Sequence, residues 1–454
     1  METAEDLAAV GIADLMPGEE LVRNGRAFCA APWVNLSVAI GGVATPCCMI
    51  KGNFGDVKQQ SIEDIWHGQE FRDFRSKMLR DEADERCCKC YETEATGGQS
   101  QRKQFNLRHA GKLSVSGCLV AAGQDADSLV PDLPITLDIR FSNLCNFSCR
   151  MCGHGASSKW FSEARKMGWA AGPDALITTF TSTDAAVRAL RPLLATVESI
   201  YFAGGEPLLL EQHYAVLNEL IALGRMDVAL VYNSNMSELR FGRLDVLELW
   251  SRFKSVTIEV SVDGTGARGE LIREGMSWMD FAANVAAVKK RCPHVRMQFD
   301  ITVLVLNVWA LPELHRDLLA LGVTGEHDFH FNVLQEPRYY SIRILPRTIK
   351  REVKRRLEAY AVTRPDGGAA AAEWSIQGQF KHMIDHMMAE DRTDLIECFR
   401  DITSRLDAMR RKSTAAICPE LAPLLRPSAF PKLRHLARVA AQRAGRLKMW
   451  LAEA

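Results

Sequence analysis

The sequence of 454 residues predicts an α/β fold with a parallel sheet, preceded by a cysteine-rich segment and followed by a helical extension. Six strand-like runs alternate with helical patterns between residues 134 and 346, which favours parallel strands joined by right-handed crossovers. Six cysteines cluster upstream of this region, and the chain downstream of it is charged and helical in pattern. We therefore expect an N-terminal arm at 1–25, a cysteine-rich domain at 26–110, a linker at 111–133, the α/β core at 134–346 and a helical C-terminal extension at 347–454.

The predicted strands of the core are short apolar runs bounded by turn residues. In chain order they are Ile135–Phe141, Ser199–Ala203, Val228–Ser234, Ser255–Val262, Val295–Leu304 and His327–Leu334. Helical periodicity fills the gaps between them, for example over Thr183–Leu194, Glu211–Leu223 and Met279–Lys290. Ligands of such folds bind beyond the carboxyl ends of the strands, so the residues that follow each strand are the candidate site residues.

Composition narrows the possible partners. Lys plus Arg and Asp plus Glu both number 56, which excludes a strongly basic nucleic-acid binder, and we expect no nucleic-acid partner. No run approaches the ~20 apolar residues of a membrane-spanning helix, and no basic region with an apolar core marks a signal peptide. Thirteen cysteines in such a chain favour metal ligation over disulfides, and we expect a reducing, cytoplasmic location.

Three cysteines follow the first predicted strand in the pattern C-x3-C-x2-C, and they are Cys145, Cys149 and Cys152. Three thiolates can hold three irons of a cubane [4Fe–4S] cluster and leave the last iron open to bind another molecule. An open iron indicates catalysis more than storage of metal. Because C-x2-C pairs also serve zinc, a zinc knuckle is the alternative.

A second motif, Gly204-Gly205-Glu206-Pro207, follows the second predicted strand. Its two glycines allow the backbone to approach a ligand closely, and Glu206 can accept hydrogen bonds from an ammonium group. The two motifs together resemble the radical S-adenosylmethionine (radical SAM) superfamily. This resemblance implies a partial (β/α)6 barrel whose three-cysteine loop holds the cluster and whose Gly-Gly-Glu-Pro loop binds the methionyl amine of SAM.

Further SAM contacts are implied by the same resemblance. Ser261 ends the fourth predicted strand and Arg273 follows it, and anaerobic sulfatase-maturing relatives use a serine and an arginine at that separation to bind the SAM carboxylate. Guanidinium and hydroxyl donors suit a carboxylate. Ser234 and Asn235, at the end of the third strand, are similar to positions that contact the ribose.

The N-terminal cysteines form a separate pattern. The order Cys29, Gly42, Cys47 resembles the opening of SPASM and twitch domains, and Cys87 and Cys90 supply two more ligands. Four ligands imply one auxiliary [4Fe–4S] cluster, the twitch arrangement, placed before the barrel rather than after it. Four thiolates would also close a tetrahedral zinc site, and the neighbouring Cys48 and Cys88 are bystanders or alternative ligands.

The resemblance implies a radical SAM oxidoreductase. One electron, from a reductant such as flavodoxin or ferredoxin, would reductively cleave SAM to a 5′-deoxyadenosyl radical that abstracts hydrogen from a substrate. A fully ligated auxiliary cluster would accept an electron, which favours oxidative modification, and we expect a peptide or protein residue as substrate. The alternatives are dehydrogenation of a sugar or cyclitol-like molecule and a non-catalytic iron–sulfur or zinc carrier or scaffold. No residue is assigned as catalytic acid, base or hydrogen donor.

Overall fold

The computed structural model describes residues 21–22, 24–95, 98, 100–109, 130–322, 325, 328–364 and 375–426. Most of the predicted N-terminal arm and linker, and the predicted extension from residue 427 onward, lie outside the described residues. Within the described part of the chain, no helix is long and apolar enough to cross a membrane.

An eight-stranded sheet is the framework of the molecule. The strands, numbered in chain order, are β1 Asn35–Val38, β2 Ala44–Thr45, β3 Thr136–Ile139, β4 Ser148–Cys149, β5 Ser199–Phe202, β6 Ala229–Ser234, β7 Arg240–Phe241, β8 Leu244–Asp245, β9 Val256–Ser261, β10 Arg273–Glu274, β11 Arg296–Val303 and β12 Phe329–Val333. The large sheet has the order β12–β11–β9–β6–β5–β3–β1–β2, while β4 pairs with β10 and β7 pairs with β8 in two small ribbons.

Helices connect most of these strands. The helices, numbered in chain order, are α1 Ala31–Val34, α2 Ile62–Trp66, α3 Gln69–Leu79, α4 Cys88–Ala95, α5 Gln101–His109, α6 Phe161–Met167, α7 Thr183–Leu194, α8 Glu211–Ala222, α9 Val246–Trp250, α10 Gly266–Ile272, α11 Trp278–Arg291, α12 Leu311–Ala320, α13 Arg347–Ala361, α14 Ile376–Ala389, α15 Ile396–Arg410, α16 Thr414–Ile417 and α17 Ala422–Leu425.

The six predicted core strands are all present, as β3, β5, β6, β9, β11 and β12, and all are parallel to their neighbours in this part of the sheet. Each is one to three residues shorter than predicted over its described residues, because the strand ends run into turns. His327, the first residue of the last predicted strand, lies outside the described residues. Helices α7, α8, α9, α11 and α12 lie between successive strands. The predicted α/β class is confirmed, and the topology is that of a partial (β/α)6 barrel.

The cysteine-rich segment continues the same sheet. Its strand β1 pairs in parallel with β3, with Asn35 opposite Thr136 and Val38 opposite Ile139, and β2 then pairs antiparallel with β1. Backbone hydrogen bonds along β3 therefore join the cysteine-rich segment to the core. The domain boundaries given above remain a prediction.

The two faces of the core strands differ in chemistry because successive side chains point to opposite faces. One face is apolar and fully buried beneath the helices, with Leu137, Ile200 and Ile258 at 1%, 0% and 0% exposure. The other face carries polar, half-buried side chains such as Tyr201 and Glu259. The core of the molecule therefore lies between sheet and helices, and the polar face lines the inside of the partial barrel.

The described part of the C-terminal extension is mainly helical, as the sequence predicts, and its long helices are α13, α14 and α15. Gln379 of α14 accepts a hydrogen bond from the Phe331 N–H (3.0 Å) and donates one to the Phe329 carbonyl (2.9 Å). These bonds cover part of the backbone of β12, an edge strand that would otherwise offer unpaired groups.

Candidate active site

The loop that carries Cys145, Cys149 and Cys152 (the cysteine loop, residues 143–152) begins where β3 ends, and the buried Asn143 shapes it. The Asn143 amide donates to the carbonyls of His154 (2.9 Å) and Ala175 (3.0 Å), and its side-chain oxygen accepts from the Ile177 N–H (2.8 Å). All three bonds reach backbone that lies far along the chain, so the start of the cysteine loop is held in one conformation.

The Gly-Gly-Glu-Pro loop packs directly on the cysteine loop. The Glu206 N–H donates to the Leu144 carbonyl at 2.8 Å. Gly205 has a φ of +55°, and a Cβ at this position would lie 2.2 Å from the Leu144 oxygen. Glycine is therefore required by the contact itself, because any side chain would collide with the backbone of the cysteine loop.

A cavity of about 250 Å³ lies at the carboxyl ends of the core strands. Its walls include most of the residues that the sequence predicts for a cluster and for SAM. The lining residues are Cys145, Phe147, Cys149, Met151, Cys152, Ala156, Ser157, Gly205, Asn233, Asn235, Ser261, Arg273, Asp300, Thr302 and Asn332. Of the predicted residues, Gly204, Glu206, Pro207 and Ser234 lie outside this wall.

The thiols of Cys145, Cys149 and Cys152 all line the cavity. Burial raises the pKa of Cys145 to about 12. A hydrogen bond between the Cys149 and Cys152 thiols lowers the pKa of Cys149 and raises that of Cys152. Three sulfur donors facing one cavity fit the three-thiolate ligand set of a [4Fe–4S] cluster with an open iron.

The Glu206 carboxylate faces the protein rather than the cavity. It is 1% exposed and accepts hydrogen bonds from the Leu208 N–H (3.2 Å), the Ser234 hydroxyl (2.9 Å) and the Asn235 N–H (2.7 Å). Burial raises its pKa to about 7. In this arrangement Glu206 fixes the end of β6, and the Ser234 hydroxyl donates its hydrogen bond to Glu206. The ammonium contact predicted for Glu206 and the ribose contact predicted for Ser234 remain predictions.

Of the two neighbouring residues Ser234 and Asn235, only Asn235 lines the cavity. Its amide donates to the Asn146 side-chain oxygen at 3.1 Å, and the Asn146 amide donates to the Ser237 hydroxyl at 2.8 Å. These bonds join the cysteine loop to the end of β6.

Arg273 and Ser261 lie together in the cavity wall, as the sequence predicts. The Arg273 guanidinium forms an ion pair with the fully buried Asp263 (Nε to Oδ2, 2.7 Å), and Asp263 also accepts from the Thr302 N–H at 2.8 Å. The Ser261 hydroxyl donates to the Asn233 side-chain oxygen at 3.1 Å. A carboxylate in this cavity would meet a cation whose orientation is already fixed.

The polar inner face of the barrel supplies site residues that the sequence reasoning missed. Asn233, Asp300, Thr302 and Asn332 all line the cavity. Their signal was present as polar residues at alternate positions of otherwise apolar strands, such as Asp300 and Thr302 in β11. These positions make the inner face a polar surface beside the three thiols.

Two hydrogen-bonded pairs lie on this inner face. The Tyr201 hydroxyl donates to Glu259 at 2.9 Å, and His330 Nδ1 lies 3.2 Å from Asp300 Oδ1. Burial, followed by the nearby Asp300 charge, raises the pKa of Glu259 to about 7. These two pairs can therefore both donate and accept hydrogen bonds near neutral pH, although of their four members only Asp300 lines the cavity.

The N-terminal cysteines predicted as ligands also come together. Cys29 interacts electrostatically with Cys47, Cys87 and Cys90, and burial together with Cys87 and Cys90 raises its pKa to about 12. Cys48 points elsewhere, because its thiol bonds to Arg140 and Asp138 at the end of β3. This placement supports Cys47 over Cys48 as the ligand.

Backbone N–H groups point at these N-terminal sulfurs. Ala31 donates to Cys29, Met49 and Ile50 donate to Cys47, and Gln101 and Arg102 at the start of α5 donate to Cys90. Such donors lower the pKa of a thiol and stabilise the thiolate that a metal requires.

Within the described ranges, no group of three or more His, Cys, Asp or Glu side chains is already arranged to hold a metal ion. The donor sets themselves fit, with three thiols at the cavity and four in the N-terminal group.

Comparison with protein families gave two matches. Residues 29–91 match the SPASM iron-sulfur cluster-binding domain, and residues 139–317 match the radical SAM superfamily. The first region contains the four N-terminal cysteines, and the second contains the cysteine loop, the Gly-Gly-Glu-Pro loop and Arg273. Curated proteins gave no match.

Solved structures gave distant matches. Native anSMEcpe with bound AdoMet is 16% identical, with a TM-score of 0.37 over 51% of this chain and 61% of that chain. Streptococcus suis SuiB bound to S-adenosylmethionine is 14% identical, with a TM-score of 0.35 over 64% and 63%. SuiB bound to precursor peptide SuiA is 14% identical, with a TM-score of 0.34 over 59% and 53%. The chain spans less than two thirds of each of these structures.

Proposed function

We propose that this chain, a member of the radical SAM superfamily with a SPASM-type iron–sulfur cluster-binding domain, oxidises a residue of a peptide or protein substrate. The observation that carries the proposal is a single cavity lined by three thiols and by Arg273, Ser261 and Asn235. A site that only stored or relayed electrons would not need a fixed cation and hydroxyl beside its thiols.

The cysteine loop holds the catalytic cluster in this proposal, through Cys145, Cys149 and Cys152. When bound, the [4Fe–4S] cluster and SAM supply a 5′-deoxyadenosyl radical that abstracts hydrogen from the substrate. The electron comes from a reductant such as flavodoxin or ferredoxin. Thiolate clusters of this kind are favoured in a reducing environment, and we propose a cytoplasmic location.

The amino-acid part of SAM is held by groups on three different elements. Arg273 and Ser261 donate to its carboxylate, and their orientation is fixed by Asp263 and Asn233. Gly205 permits close approach of the backbone to the methionyl amine, and the buried Glu206 supports that loop through its hydrogen bonds to Ser234 and Asn235. Asn235 contacts the ribose.

The substrate lies against the polar inner face, where Asp300, Thr302 and Asn332 reach the cavity. The N-terminal cysteines would hold the auxiliary cluster, which would supply an acceptor for the electron that an oxidation releases. We favour a peptide or protein because SPASM-type domains are most often associated with such modification. Dehydrogenation of a sugar or cyclitol is the second candidate, favoured by the hydrogen-bonding groups of Tyr201, Glu259 and His330 on the same face.

The test uses the reconstituted full chain with SAM and reductant, and offers it a peptide library and a panel of sugars and cyclitols separately. We expect a peptide product lighter by two hydrogen atoms, formed only when SAM is present. The Cys90→Ala variant should still cleave SAM and should lose this product. Products from the sugar panel alone would favour the second candidate, the dehydrogenation of a sugar or cyclitol. Loss of SAM cleavage in Cys90→Ala, with its barrel cluster intact, would contradict the assignment of SAM cleavage to the barrel cluster and of electron acceptance to the N-terminal cysteines.

A further inference from the structure

The C-terminal extension reaches the cysteine loop through a buried ion pair. Arg150 lies between Cys149 and Met151, and its side chain is 0% exposed. Its guanidinium donates to Asp407 of α15 (2.5 Å) and to the Leu271 carbonyl (3.2 Å). Residues 257 positions apart in sequence are therefore joined within the loop that carries the cluster ligands.

Asp407 is itself held in place from the other side. Its carboxylate accepts from the Thr414 N–H (2.7 Å) and from the Thr414 hydroxyl (2.8 Å). Its backbone carbonyl accepts from the Lys412 N–H at 3.0 Å, in the turn that ends α15. Asp407 is thus a fixed anion that meets Arg150, rather than a mobile surface carboxylate.

A second contact from the same helix reaches Cys149. Arg410 forms two hydrogen bonds to Glu163 (2.9 and 2.7 Å) and stacks over the Trp160 ring, 4.9 Å from its centre. The Trp160 indole donates to the Cys149 carbonyl at 2.7 Å. The last turn of α15 therefore touches the cysteine loop through two independent routes.

We propose that α15 braces the cysteine loop and that Asp407 is a positioning residue for Cys149 and Cys152. The inference rests on the proposed function, because it concerns the loop that would hold the catalytic cluster. A buried ion pair adds little net stability compared with apolar packing, but removing one partner leaves a buried charge uncompensated. Groups that orient metal ligands from behind commonly change metal affinity by about 10–100-fold when they are replaced.

The experiment compares three reconstituted full-length proteins: wild type, Asp407→Asn and Asp401→Asn. The D407N variant keeps the shape of the side chain and loses its charge. Asp401 lies on the same helix, 58% exposed, and its pair with Arg405 is loose at 3.8 Å, so D401N is the matched control. The readout is the rate at which a chelator abolishes the SAM-sensitive electron paramagnetic resonance signal of the reduced protein, with circular dichroism to verify the fold.

We expect D407N to lose the SAM-sensitive signal at least about 10-fold faster than D401N, with the SAM-insensitive signal unaffected. Equal rates in D407N and D401N would overturn the positioning role while leaving the proposed function in place. A wild-type protein without any SAM-sensitive signal would overturn the proposed function, and with it this inference. If D407N fails to fold, Thr414→Val, which removes one bond to Asp407, replaces it and should accelerate the loss relative to D401N.

Discussion

Cys149 and Arg273 lie directly opposite each other in the antiparallel ribbon formed by β4 and β10. A proposed iron ligand and the proposed carboxylate-binding cation are thus joined through backbone pairing. The Arg273 side chain is aimed by Asp263 at 2.7 Å, which is independent of the ribbon. The position of the Arg273 guanidinium relative to the cysteine loop is therefore set by the fold, which is the preorganisation that a reacting site needs.

Replacing Arg273 by lysine should weaken SAM binding without loss of the barrel cluster. Lysine keeps the charge opposite the buried Asp263 but lacks the planar fork that holds a carboxylate. Hydrogen bonds between charged groups contribute about 1.5–3 kcal/mol, so the Kd for SAM should rise roughly ten- to a hundred-fold. A SAM titration of the reduced-cluster signal measures this change.

Arg296→Lys is the control for this prediction, because Arg296 pairs with Asp328 at the surface and is 61% exposed. An R273K protein that binds SAM as tightly as R296K would show that another group receives the carboxylate.

Replacing Gly205 by alanine should disrupt the cysteine loop specifically. The new Cβ would lie 2.2 Å from the Leu144 oxygen, whereas a Cβ on Gly224, which also has a positive φ, would meet nothing within 4 Å. Gly224→Ala should incur only the backbone cost of about 1–2 kcal/mol. We expect G205A to lose the SAM-sensitive signal and to be destabilised further, as measured by denaturant unfolding. Equal SAM-sensitive signals and equal free energies of unfolding in the two variants would show that the close contact between Gly205 and the Leu144 carbonyl does not constrain the cysteine loop.

The contribution of Glu206 to the stability of the iron-free protein should fall as the pH rises from about 4.5 to 7. Burial raises the pKa of Glu206 from 4.5 to about 7, so the folded state binds this proton more tightly than the unfolded state. That contribution is fully present below pH 4.5 and is lost as the pH rises through about 7.

The Glu206→Gln variant tests this dependence. Between about pH 4.5 and 7, the free energy of unfolding of E206Q, measured with denaturant, should change with pH by up to about 1.4 kcal/mol per pH unit more positively than that of wild type. Glu259 should add a contribution of the same sign in both proteins, because burial and Asp300 raise its pKa to about 7 as well. Parallel curves for wild type and E206Q would mean that Glu206 is not protonated in the folded state.

The adjacent cysteines 47 and 48 should behave differently. Cys47→Ala should reduce the iron content from about eight to about four atoms per chain, because Cys47 belongs to the N-terminal group. Cys48→Ala should leave the iron content unchanged, since Cys48 bonds to Asp138 and Arg140 instead. Iron analysis after anaerobic reconstitution distinguishes the two variants. The reverse result would mean that Cys48, and not Cys47, is the ligand.

Local patterns predicted the parts of the structure that depend on near neighbours. The core strands and the long helices appear within a few residues of their predicted positions, because apolar periodicity reports which side faces the core. The grouping of Ser261 and Asn235 with the cysteine loop was also predictable, since strand ends of a parallel sheet meet at one edge. Arg273 was implied by the family resemblance, and it joins the cysteine loop through the antiparallel ribbon of β4 and β10.

Contacts between distant segments could not be predicted in this way. Nothing near β1 signals its pairing with β3, and nothing near Arg150 signals Asp407, because each pair is brought together by the whole fold. The inward turn of Glu206 depends on the Ser234 hydroxyl and the Asn235 N–H at the end of another strand. Side-chain direction at such points is decided by tertiary packing.

The most direct test of the account is anaerobic reconstitution of the full chain, followed by iron analysis and by incubation with dithionite and SAM. We predict about eight irons per chain and the formation of 5′-deoxyadenosine, detected by chromatography. About four irons with the same product would support the catalytic function and would indicate that the N-terminal cysteines bind zinc instead of an iron–sulfur cluster. No 5′-deoxyadenosine from a protein whose barrel cluster is spectroscopically present would contradict the central claim and favour a carrier or scaffold.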